Sequence, residues 1–447
     1  MSYHPVKSEA ELRADALAVW AAGVGAVRPE SLVAGAISAF PDDWQTALTR
    51  APRIIVVGGG KAGAGMAAGL EAALTEHLDR VVGLLNVPEG VTADLRRIEL
   101  HPARPAGSNH PAAAGVVGIE RMLSLLQSAG PDDVAICLLS GGGSALLPAP
   151  AAGVTLEDKQ AVTKLLHASG ATISEMNAVR KHLSRVKGGR LAEAFRGRLL
   201  VSLILSDVIG DPLDVIASGP TAPDPTTFTD ALGVLEKYDL DGLAPAAVVR
   251  HLRRGRDGDL PETPKRLPTK VHNRVVGNNA TALRVAAAEA ERQGYAVLNM
   301  GSYIEGETTE VAGVIAGVVR SVRHDGQPLR PPACVLVGGE TTVTLGPNPG
   351  KGGRNQEFAL AAAVKLGADL AEACVLSGGT DGEDGPTDAA GAVVTSGTMN
   401  DAIAMGLDPA DHLRRHDSYP FLDAVGGLIR TGGTGTNVTD LRVVLIG

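Results

Sequence analysis

Short apolar runs, each of about the length of one β-strand, most constrain what this chain can fold into. They recur along the sequence at residues 54–57, 81–85, 134–139, 199–205, 275–276, 333–337, 373–376 and 441–446. A glycine- or aspartate-rich turn and then a helical stretch follow in a repeating theme. Runs without polar alternation are typical of strands that are covered on both faces. The pattern therefore predicts an α/β fold with mostly parallel, helix-covered sheets.

The length and one charged segment predict how the chain divides. A chain of 447 residues is about three times the size of an ordinary domain of ~150 residues. Residues 253–270 are charged, contain prolines and lack apolar periodicity, which is typical of a linker. We predict a Rossmann-like N-terminal domain at 1–258 and a C-terminal domain at 259–447. Helical spacing in the first 50 residues predicts helices without indicating the domain on which they pack.

Charge and composition exclude several classes of function. The net charge is −9 and aromatic residues make up 3%, so we expect neither a general nucleic-acid partner nor a membrane partner. The longest uncharged window, 134–156, is broken by glycines and prolines, and the N-terminus has no apolar signal segment. Each of the three cysteines lies in an apolar run without metal-like spacing, as expected in a reducing cytoplasm. A small anionic substrate would need a local basic site.

Glycines follow the predicted strands at the ends where parallel sheets bind ligands. They are Gly58, Gly59, Gly60, Gly141, Gly142, Gly143, Gly338, Gly339, Gly378 and Gly379. Any single loop of this kind could be no more than a tight turn. Several such loops at strand ends together favour a ligand site.

The first glycine loop matches the spacing of the dinucleotide fingerprint, with glycines at 58, 60 and 63. The acidic residue expected at the end of the next strand is missing, because that strand is predicted to end near Asn86. Lys61 remains at a predicted helix N-terminus, where the helix dipole favours an anion. It is either a phosphate-facing cation or a solvated lysine.

Two further segments of the N-terminal half could contact anions. Ser140, the glycines at 141–143 and Ser144 follow a buried strand, where successive N–H groups can form an anion nest. Lys187 lies in the basic stretch 177–195, which is either a second anion-contacting turn or an exposed helix surface.

Carboxylates follow the apolar run 199–205. Asp207 comes two residues after it, and Asp211 and Asp214 are close behind. Oxygen ligands at a strand end suit Mg²⁺ binding or general-base chemistry. The alternative is that these aspartates cap the following turn.

The C-terminal half has its own polar loops. Residues 338–360 include Glu340, Arg354 and Asn355, and Arg354 could bind a carboxylate or phosphate through two N–H bonds. Residues 377–391 include Asp381, Asp384 and Asp388, which are either functional carboxylates or parts of Asp-Gly turns.

Taken in order, these motifs resemble the class II glycerate 2-kinases, whose C-terminal half is the MOFRL domain. The resemblance covers nearly the whole chain and implies two α/β domains with an interdomain cleft, ATP and Mg²⁺ as cofactors, and phosphorylation of D-glycerate at its 2-hydroxyl. It implies catalytic roles for Lys61, Asp207 and Arg354. From their position after the apolar run we expect Asp207 and Asp211 to be the metal ligands. The residues expected to bind the cofactor are Gly58, Gly59, Gly60, Ser140, Gly141, Gly142, Gly143, Ser144, Lys187, Glu340, Asn355 and Asp381.

The chain departs from the family pattern at two places. The family usually has His-Pro-x-Pro-Asp where this chain has His-Pro-Ala-Ala-Ala at 110–114, and Gly433 replaces a usual proline. Some family members are named hydroxypyruvate reductases, so an NAD(P)H-dependent reductase is the alternative function, and an inactive nucleotide sensor is a second. The oligomeric state is left open, with a homodimer among the options.

Overall fold

The structure is a computed structural model that describes residues 7–108 and 110–447. The chain forms two compact units. The N-terminal unit is Pro29–Val276; the C-terminal unit is Gly277–Gly447 together with the residues up to Arg28.

Helices and strands alternate through most of the chain, as the apolar runs predict. The helices are α1 (Glu9–Gly25), α2 (Pro29–Ser38), α3 (Asp42–Arg50), α4 (Gly63–Ala73), α5 (Ala113–Gln127), α6 (Gly143–Leu146), α7 (Leu156–Ala168), α8 (Ile173–His182), α9 (Arg190–Glu193), α10 (Phe228–Lys237), α11 (Ala246–Arg256), α12 (Asn279–Arg292), α13 (Thr308–Arg320), α14 (Arg354–Leu366), α15 (Ser396–Ala404), α16 (Pro409–Arg414) and α17 (Ser418–Ala424). The strands are β1 (Ile54–Gly59), β2 (Val81–Pro88), β3 (Ile98–Arg104), β4 (Val134–Leu139), β5 (Leu199–Leu205), β6 (Val271–Gly277), β7 (Ala296–Asn299), β8 (Ile304–Glu307), β9 (Ala333–Thr342), β10 (Ala373–Gly379), β11 (Gly391–Thr395), β12 (Leu428–Ile429) and β13 (Asp440–Ile446).

The N-terminal unit is built on a sheet with the strand order β3-β2-β1-β4-β5-β6. β1 pairs in parallel with β2 on one side and with β4 on the other, so the strand order reverses between β1 and β4. The loops that follow β1 and β4 therefore separate at this point, which is where open α/β sheets bind ligands. Both loops carry the glycines that the sequence analysis singled out.

The domain boundary predicted at 258/259 is wrong by about one strand. Residues 271–277 form β6, which extends the sheet of the N-terminal unit beside β5. The charged segment 253–270 is therefore no linker between domains: it contains the end of α11 and a loop that is bonded to the N-terminal unit, for example through Thr263 Oγ1 and Asp224 at 2.9 Å. Most charged side chains of this segment face solvent, whereas its backbone belongs to the N-terminal unit.

The helices predicted in the first 50 residues are present, and they divide between the two units. α1 buries Leu12, Val19 and Trp20 among residues of α12, β9, β10 and β13 in the C-terminal unit. α2 lies against α4 in the N-terminal unit, where a Cβ at Gly69 would overlap the backbone of Glu30. The periodicity predicts these helices, but their packing partners follow from the tertiary fold.

The sheet of the C-terminal unit is mixed rather than mostly parallel. β9 pairs in parallel with β7 and β8, whereas β13 runs antiparallel to both β9 and β10. Asp440, the first residue of β13, therefore lies opposite Gly339 of β9 and Gly379 of β10. The antiparallel insertion brings the start of one strand to the edge where its two neighbours end.

Both sheets are covered on two faces, which explains the continuous apolar runs. Along β9, Val335 and Val337 pack under α13 and α14, while Cys334 and Leu336 face α1 and α12. The cysteine thiols are free and buried, and burial raises the pKa of each to about 12. Among residues 7–108 and 110–447, no helix is both long and apolar enough to cross a membrane.

Candidate active site

The loops after β1 and β4 are bonded to each other. The N–H of Lys61 donates to the carbonyl of Gly141 at 2.8 Å, and the N–H of Ala62 donates to Ser140 Oγ at 3.1 Å. A Cβ at Gly60 would overlap that same hydroxyl group. Gly60 is therefore a glycine because Ser140 lies against it.

Four successive N–H groups of the first glycine loop are already bonded within the protein. The amides of Gly60, Lys61, Ala62 and Gly63 all donate to protein oxygens. Gly58 and Gly59 lie inside β1, where a Cβ would overlap the backbone of a neighbouring strand. Direct cofactor binding by Gly58, Gly59 and Gly60 therefore does not fit this geometry, because they serve the packing of the loop and strand.

The second glycine loop, residues 141–143, differs from the first because two of its N–H groups are available. In the described part of the chain, the amides of Gly141 and Gly142 donate to no protein acceptor. Gly142 has φ 76°, a conformation that favours glycine, and it precedes the short helix α6. Two available N–H groups in one turn form a small anion-binding concavity, as the sequence predicts for residues 140–144.

Charged side chains from other strands surround this turn. The carboxylate of Asp207, after β5, lies so close to Gly141 that a Cβ there would overlap its Oδ2. The Lys61 Cγ and the Arg104 Nη2 each lie 3.4 Å from where a Cβ of Gly142 would be. Lys61, Arg104 and Asp207 therefore converge on the same turn from the ends of β1, β3 and β5.

Arg104 was not identified from the sequence. It ends β3, whose burial pattern is irregular, so no apolar run predicts this strand. The side chain is 4% exposed, and its Nη1 donates to the carbonyl of Ser108. An arginine held next to two available amides adds positive charge to the site.

Lys187 holds the next turn in place. Its buried Nζ donates to the Ser144 carbonyl at 2.9 Å, to Ser144 Oγ at 3.0 Å and to the carbonyl of Ala217 at 3.3 Å. Burial lowers the pKa of Lys187 well below its ordinary value, and the charges of Lys159 and Arg180 lower it further. The residue predicted to contact the cofactor therefore also fixes the loop that carries Ser144.

The two aspartates that follow Asp207 have different surroundings. Asp214 is ion-paired with Lys181 at 3.0 Å, and Lys181 also binds Asp224 at 3.2 Å. Asp211 lies in a turn at φ 53°, with its N–H donating to the Val208 carbonyl at 3.1 Å. The described residues contain no cluster of three or more side chains placed to hold a metal ion on their own.

The metal predicted at Asp207 has to be judged by the donors present. Mg²⁺ in phosphate-transferring sites is usually held by one or two carboxylates together with phosphate oxygens. Asp207 lies beside the two available amides of the glycine turn, so it could serve as such a carboxylate. The fit rests on Asp207, with Asp211 as a candidate second ligand.

The C-terminal unit holds Arg354 in a defined orientation. Its Nε and Nη2 donate to Asp440 at 2.9 and 3.0 Å, and its Nη1 lies 3.1 Å from Glu340. Burial would raise the pKa of Asp440, but the charges of Arg442 and Arg354 outweigh it and lower that pKa. The two N–H bonds expected to bind an anion are therefore made to a carboxylate of the protein, while Nη1 is paired with Glu340.

Asp384 explains why a glycine, Gly353, directly precedes α14. Its carboxylate accepts from the N–H groups of Asn355 at 3.0 Å and Gln356 at 2.9 Å, in place of a capping side chain at Gly353. A Cβ at Gly353 would overlap the Asp384 carboxyl group. Burial raises the pKa of Asp384 to about 6, although the two N–H bonds act in the opposite direction.

Asn355 and Asp381 lie in different environments from those expected of cofactor ligands. Asn355 is fully buried; its Nδ2 donates to Asp440 at 2.8 Å, and its Oδ1 accepts from Ser377 at 2.6 Å. It can orient the Arg354 pair but has no surface for a ligand. Asp381 accepts from the N–H of Glu383 at 3.1 Å, as in an Asp-Gly turn, and its carbonyl accepts from Thr434.

Asp440 was missed by the sequence analysis because it precedes its strand. The expectation for parallel sheets places ligand-binding residues after strands, and β13 is antiparallel. The signal that could have found it is an acidic residue directly before the apolar run 441–446.

Comparisons with known proteins agree with this two-part architecture. Residues 15–253 match a family model described as a domain of unknown function, DUF4147, and residues 333–440 match the MOFRL family. Chains that combine these two domains form a defined class, and this chain is of that class.

Individual relatives specify the family further. The chain is 42% identical to a glycerate 2-kinase of Pyrococcus horikoshii, over 88% of this chain and 87% of that protein. It is 44% identical to an Agrobacterium vitis protein provisionally named hydroxypyruvate reductase, over 88% of this chain and 87% of that protein. The crystal structure of a Thermotoga maritima glycerate kinase superimposes with a TM-score of 0.85 at 37% identity, covering 98% of this chain and all of that one. The protein belongs to the class II glycerate kinase family with a C-terminal MOFRL domain.

Proposed function

We propose that this protein is a glycerate 2-kinase, which transfers the γ-phosphoryl group of ATP to the 2-hydroxyl of D-glycerate with Mg²⁺. The observation that carries the proposal is the glycine turn at 141–142, where two available amides meet Lys61, Arg104 and Asp207. Phosphoryl transfer mainly requires positioning and charge neutralisation, and this turn supplies both. Kinase names among the relatives support the same conclusion.

Each residue of the site has a separate role in the proposed reaction. The amides of Gly141 and Gly142 bind phosphate oxygens, and Lys61 and Arg104 neutralise their charge. Asp207 accepts the proton of the 2-hydroxyl group or holds the metal ion. Asp207, with Asp211 as a candidate second ligand, would hold Mg²⁺, which would supply positive charge that offsets the negative charge of the phosphate groups. Arg354, oriented by Asp440, is the catalytic arginine that the family resemblance implies.

The reductase alternative is less well supported by the geometry. The amides of residues 60–63 all donate to protein oxygens, so these four N–H groups are not available to a pyrophosphate. β2 runs on to Pro88, and Glu89 follows, so an acidic residue does stand beyond this strand. However, the residue level with Gly59 is Asn86, which is fully buried and donates to the carbonyls of Gly115 and Leu146.

The test is a product assay with purified protein, D-glycerate, Mg²⁺ and ATP. We expect a product that enolase alone consumes, because only 2-phosphoglycerate is its substrate, with no need for phosphoglycerate mutase. A requirement for the mutase would contradict phosphorylation at the 2-position. Saturable oxidation of NADH or NADPH with hydroxypyruvate, at rates above background, would favour the reductase instead.

Two properties remain predictions: a cytoplasmic location and the oligomeric state. The buried free thiols of Cys137, Cys334 and Cys374 suit a reducing compartment. Size-exclusion chromatography with light scattering would decide between a monomer and the homodimer left open above.

A further inference from the structure

A cavity of about 810 Å³ lies in the N-terminal unit beside Ser144. Its wall includes α7, the end of α8 and the loop around His110 and Pro111. Three cationic side chains contribute to the lining: Lys159, Arg180 and Lys187. Ser144 lies two residues after the glycine turn 141–142, so the cavity adjoins the site of the proposed reaction.

These three cations have no carboxylate partner among the described residues. Lys159 is 8% exposed, and its buried Nζ makes no hydrogen bond to any residue that the structure describes. Arg180 forms no ion pair or hydrogen bond within residues 7–108 and 110–447. In the described part of the chain, Lys187 Nζ donates to carbonyl and hydroxyl oxygens and to no carboxylate.

Other basic side chains near the cavity are paired with carboxylates of the protein. Lys181, next to Arg180 in α8, is bound by both Asp214 and Asp224. Arg185 is ion-paired with Glu120. Buried charges in proteins are nearly always paired, since an isolated one is strongly unfavourable. A buried lysine without a carboxylate either loses its proton or binds an anion from outside the chain, and the neighbouring Arg180, which stays charged, favours an anion.

The number of positive charges indicates what kind of anion. A monocarboxylate such as glycerate would offset one of three charges, whereas a nucleoside di- or triphosphate carries three or four. The cavity is also far larger than a three-carbon acid requires, and Pro148, Leu156 and Ala161 give it an apolar wall for a base or sugar. Glu157 contributes a carboxylate to the lining but is exposed.

We infer that this cavity is the nucleotide-binding pocket, in which Lys159 and Arg180 hold the polyphosphate chain and Lys187 fixes the adjoining loop, so that the terminal phosphate lies at the glycine turn 141–142. The inference rests on the proposed function and adds the location of the nucleotide. Burial and the charges of Arg180 and Arg185 lower the pKa of Lys159 to about 7, which is the effect expected of a cation that lacks its counter-ion.

The test compares Lys159→Met with Lys365→Met, which removes one lysine charge from an exposed position of α14. Binding of ADP and of inorganic tripolyphosphate is measured by calorimetry, without turnover. For Lys159→Met we expect the Kd of both ligands to rise at least about tenfold. The free variant should be at least as heat-stable as the wild type, because an uncompensated buried charge is removed. Lys365→Met should match the wild type in both measurements.

The outcomes separate this inference from the proposed function. An unchanged ADP Kd in Lys159→Met, in a preparation whose wild type phosphorylates glycerate, would overturn the inference alone. A raised glycerate KM with unchanged ADP binding would also overturn it, because the cavity would then hold the acceptor. Failure of the wild type to phosphorylate glycerate would instead contradict the proposed function. If Lys159→Met does not fold, Arg180→Gln provides the same comparison.

Discussion

The Arg354 guanidinium is held edge-on by the buried carboxylate of Asp440, with Nε and Nη2 at 2.9 and 3.0 Å from its two oxygens. Its third nitrogen lies 3.1 Å from Glu340. A planar fork can satisfy both carboxylates at once, whereas an ammonium group cannot reproduce that geometry.

We therefore expect Arg354→Lys to lower kcat/KM for glycerate nearly as much as Arg354→Ala, by about a hundredfold or more. Steady-state kinetics with glycerate and ATP varied separately would show whether KM or kcat changes. Arg320→Lys, at an exposed ion pair with Asp369, is the control and should behave like the wild type. Normal kinetics in Arg354→Lys would remove Arg354 from the proposed mechanism.

Gly141→Ala tests the contact between the glycine turn and Asp207. The backbone of Gly141 is compatible with alanine, so the added methyl group acts through its overlap with the Asp207 carboxylate. We expect kcat/KM to fall at least about tenfold while the fold is retained. Gly233→Ala in α10 is the control, because no atom lies near its Cβ position and alanine favours helices. Full activity of a folded Gly141→Ala enzyme would show that the position of Asp207 is unimportant.

Lys61→Ala tests the cation beside the glycine turn. Because Lys61 is exposed and its ordered backbone N–H is unaffected by the substitution, the fold should be retained. We expect kcat/KM to fall by at least about a hundredfold, or roughly 2.7 kcal/mol of transition-state stabilisation. The control is circular dichroism of the variant. Near-normal kinetics would contradict the role of Lys61.

Asp207→Asn separates the two roles left open for this carboxylate. An amide keeps one weak oxygen ligand but cannot accept a proton. If Asp207 binds the metal, activity should fall and recover in part as Mg²⁺ is raised; if it is the general base, Mg²⁺ should not restore activity. The measurement is a titration of initial rate against Mg²⁺ concentration. Wild-type rates at low Mg²⁺ would exclude both roles.

Asp384 should make stability depend on pH in the acid range. Its pKa is about 6 in the folded protein and ordinarily 3.8, so between these values the folded state holds a proton that the unfolded state has lost. The stabilisation from this group is complete below pH ~4 and is lost as the pH rises to about 6, by about 3 kcal/mol in the free energy of unfolding.

Urea unfolding of the wild type and of Asp384→Asn at a series of pH values tests whether the Asp384 pKa is raised in the folded protein. The difference between their free energies of unfolding should change across that interval and be constant above it, since the other titrating groups are common to both proteins. A difference that does not vary with pH would show that the Asp384 pKa is not raised.

The sequence alone determined the α/β class and the strands that form the centre of each sheet. The central strands are buried on both faces, so the sequence of each contains a continuous apolar run. They are β1, β4, β5, β9, β10 and β13. Edge strands have a weaker apolar pattern. Almost all of β6 is half-buried, so the sequence did not show how far this strand extends, and the predicted domain boundary was therefore misplaced. Motif order also sufficed to indicate the family, because those loops carry residue types that are rare in combination.

Only the tertiary structure decided which polar residues meet. Arg354 and Asp440 are 86 positions apart, and they pair because β13 runs antiparallel between β9 and β10. Arg104 reaches the glycine turn from β3 at the edge of its sheet, and the Lys159 Nζ has no hydrogen-bond partner among the residues that the structure describes. The local pattern of apolar residues indicates whether a segment is buried. Strand order and register determine which residues lie beside that segment, and the local pattern does not encode either of them.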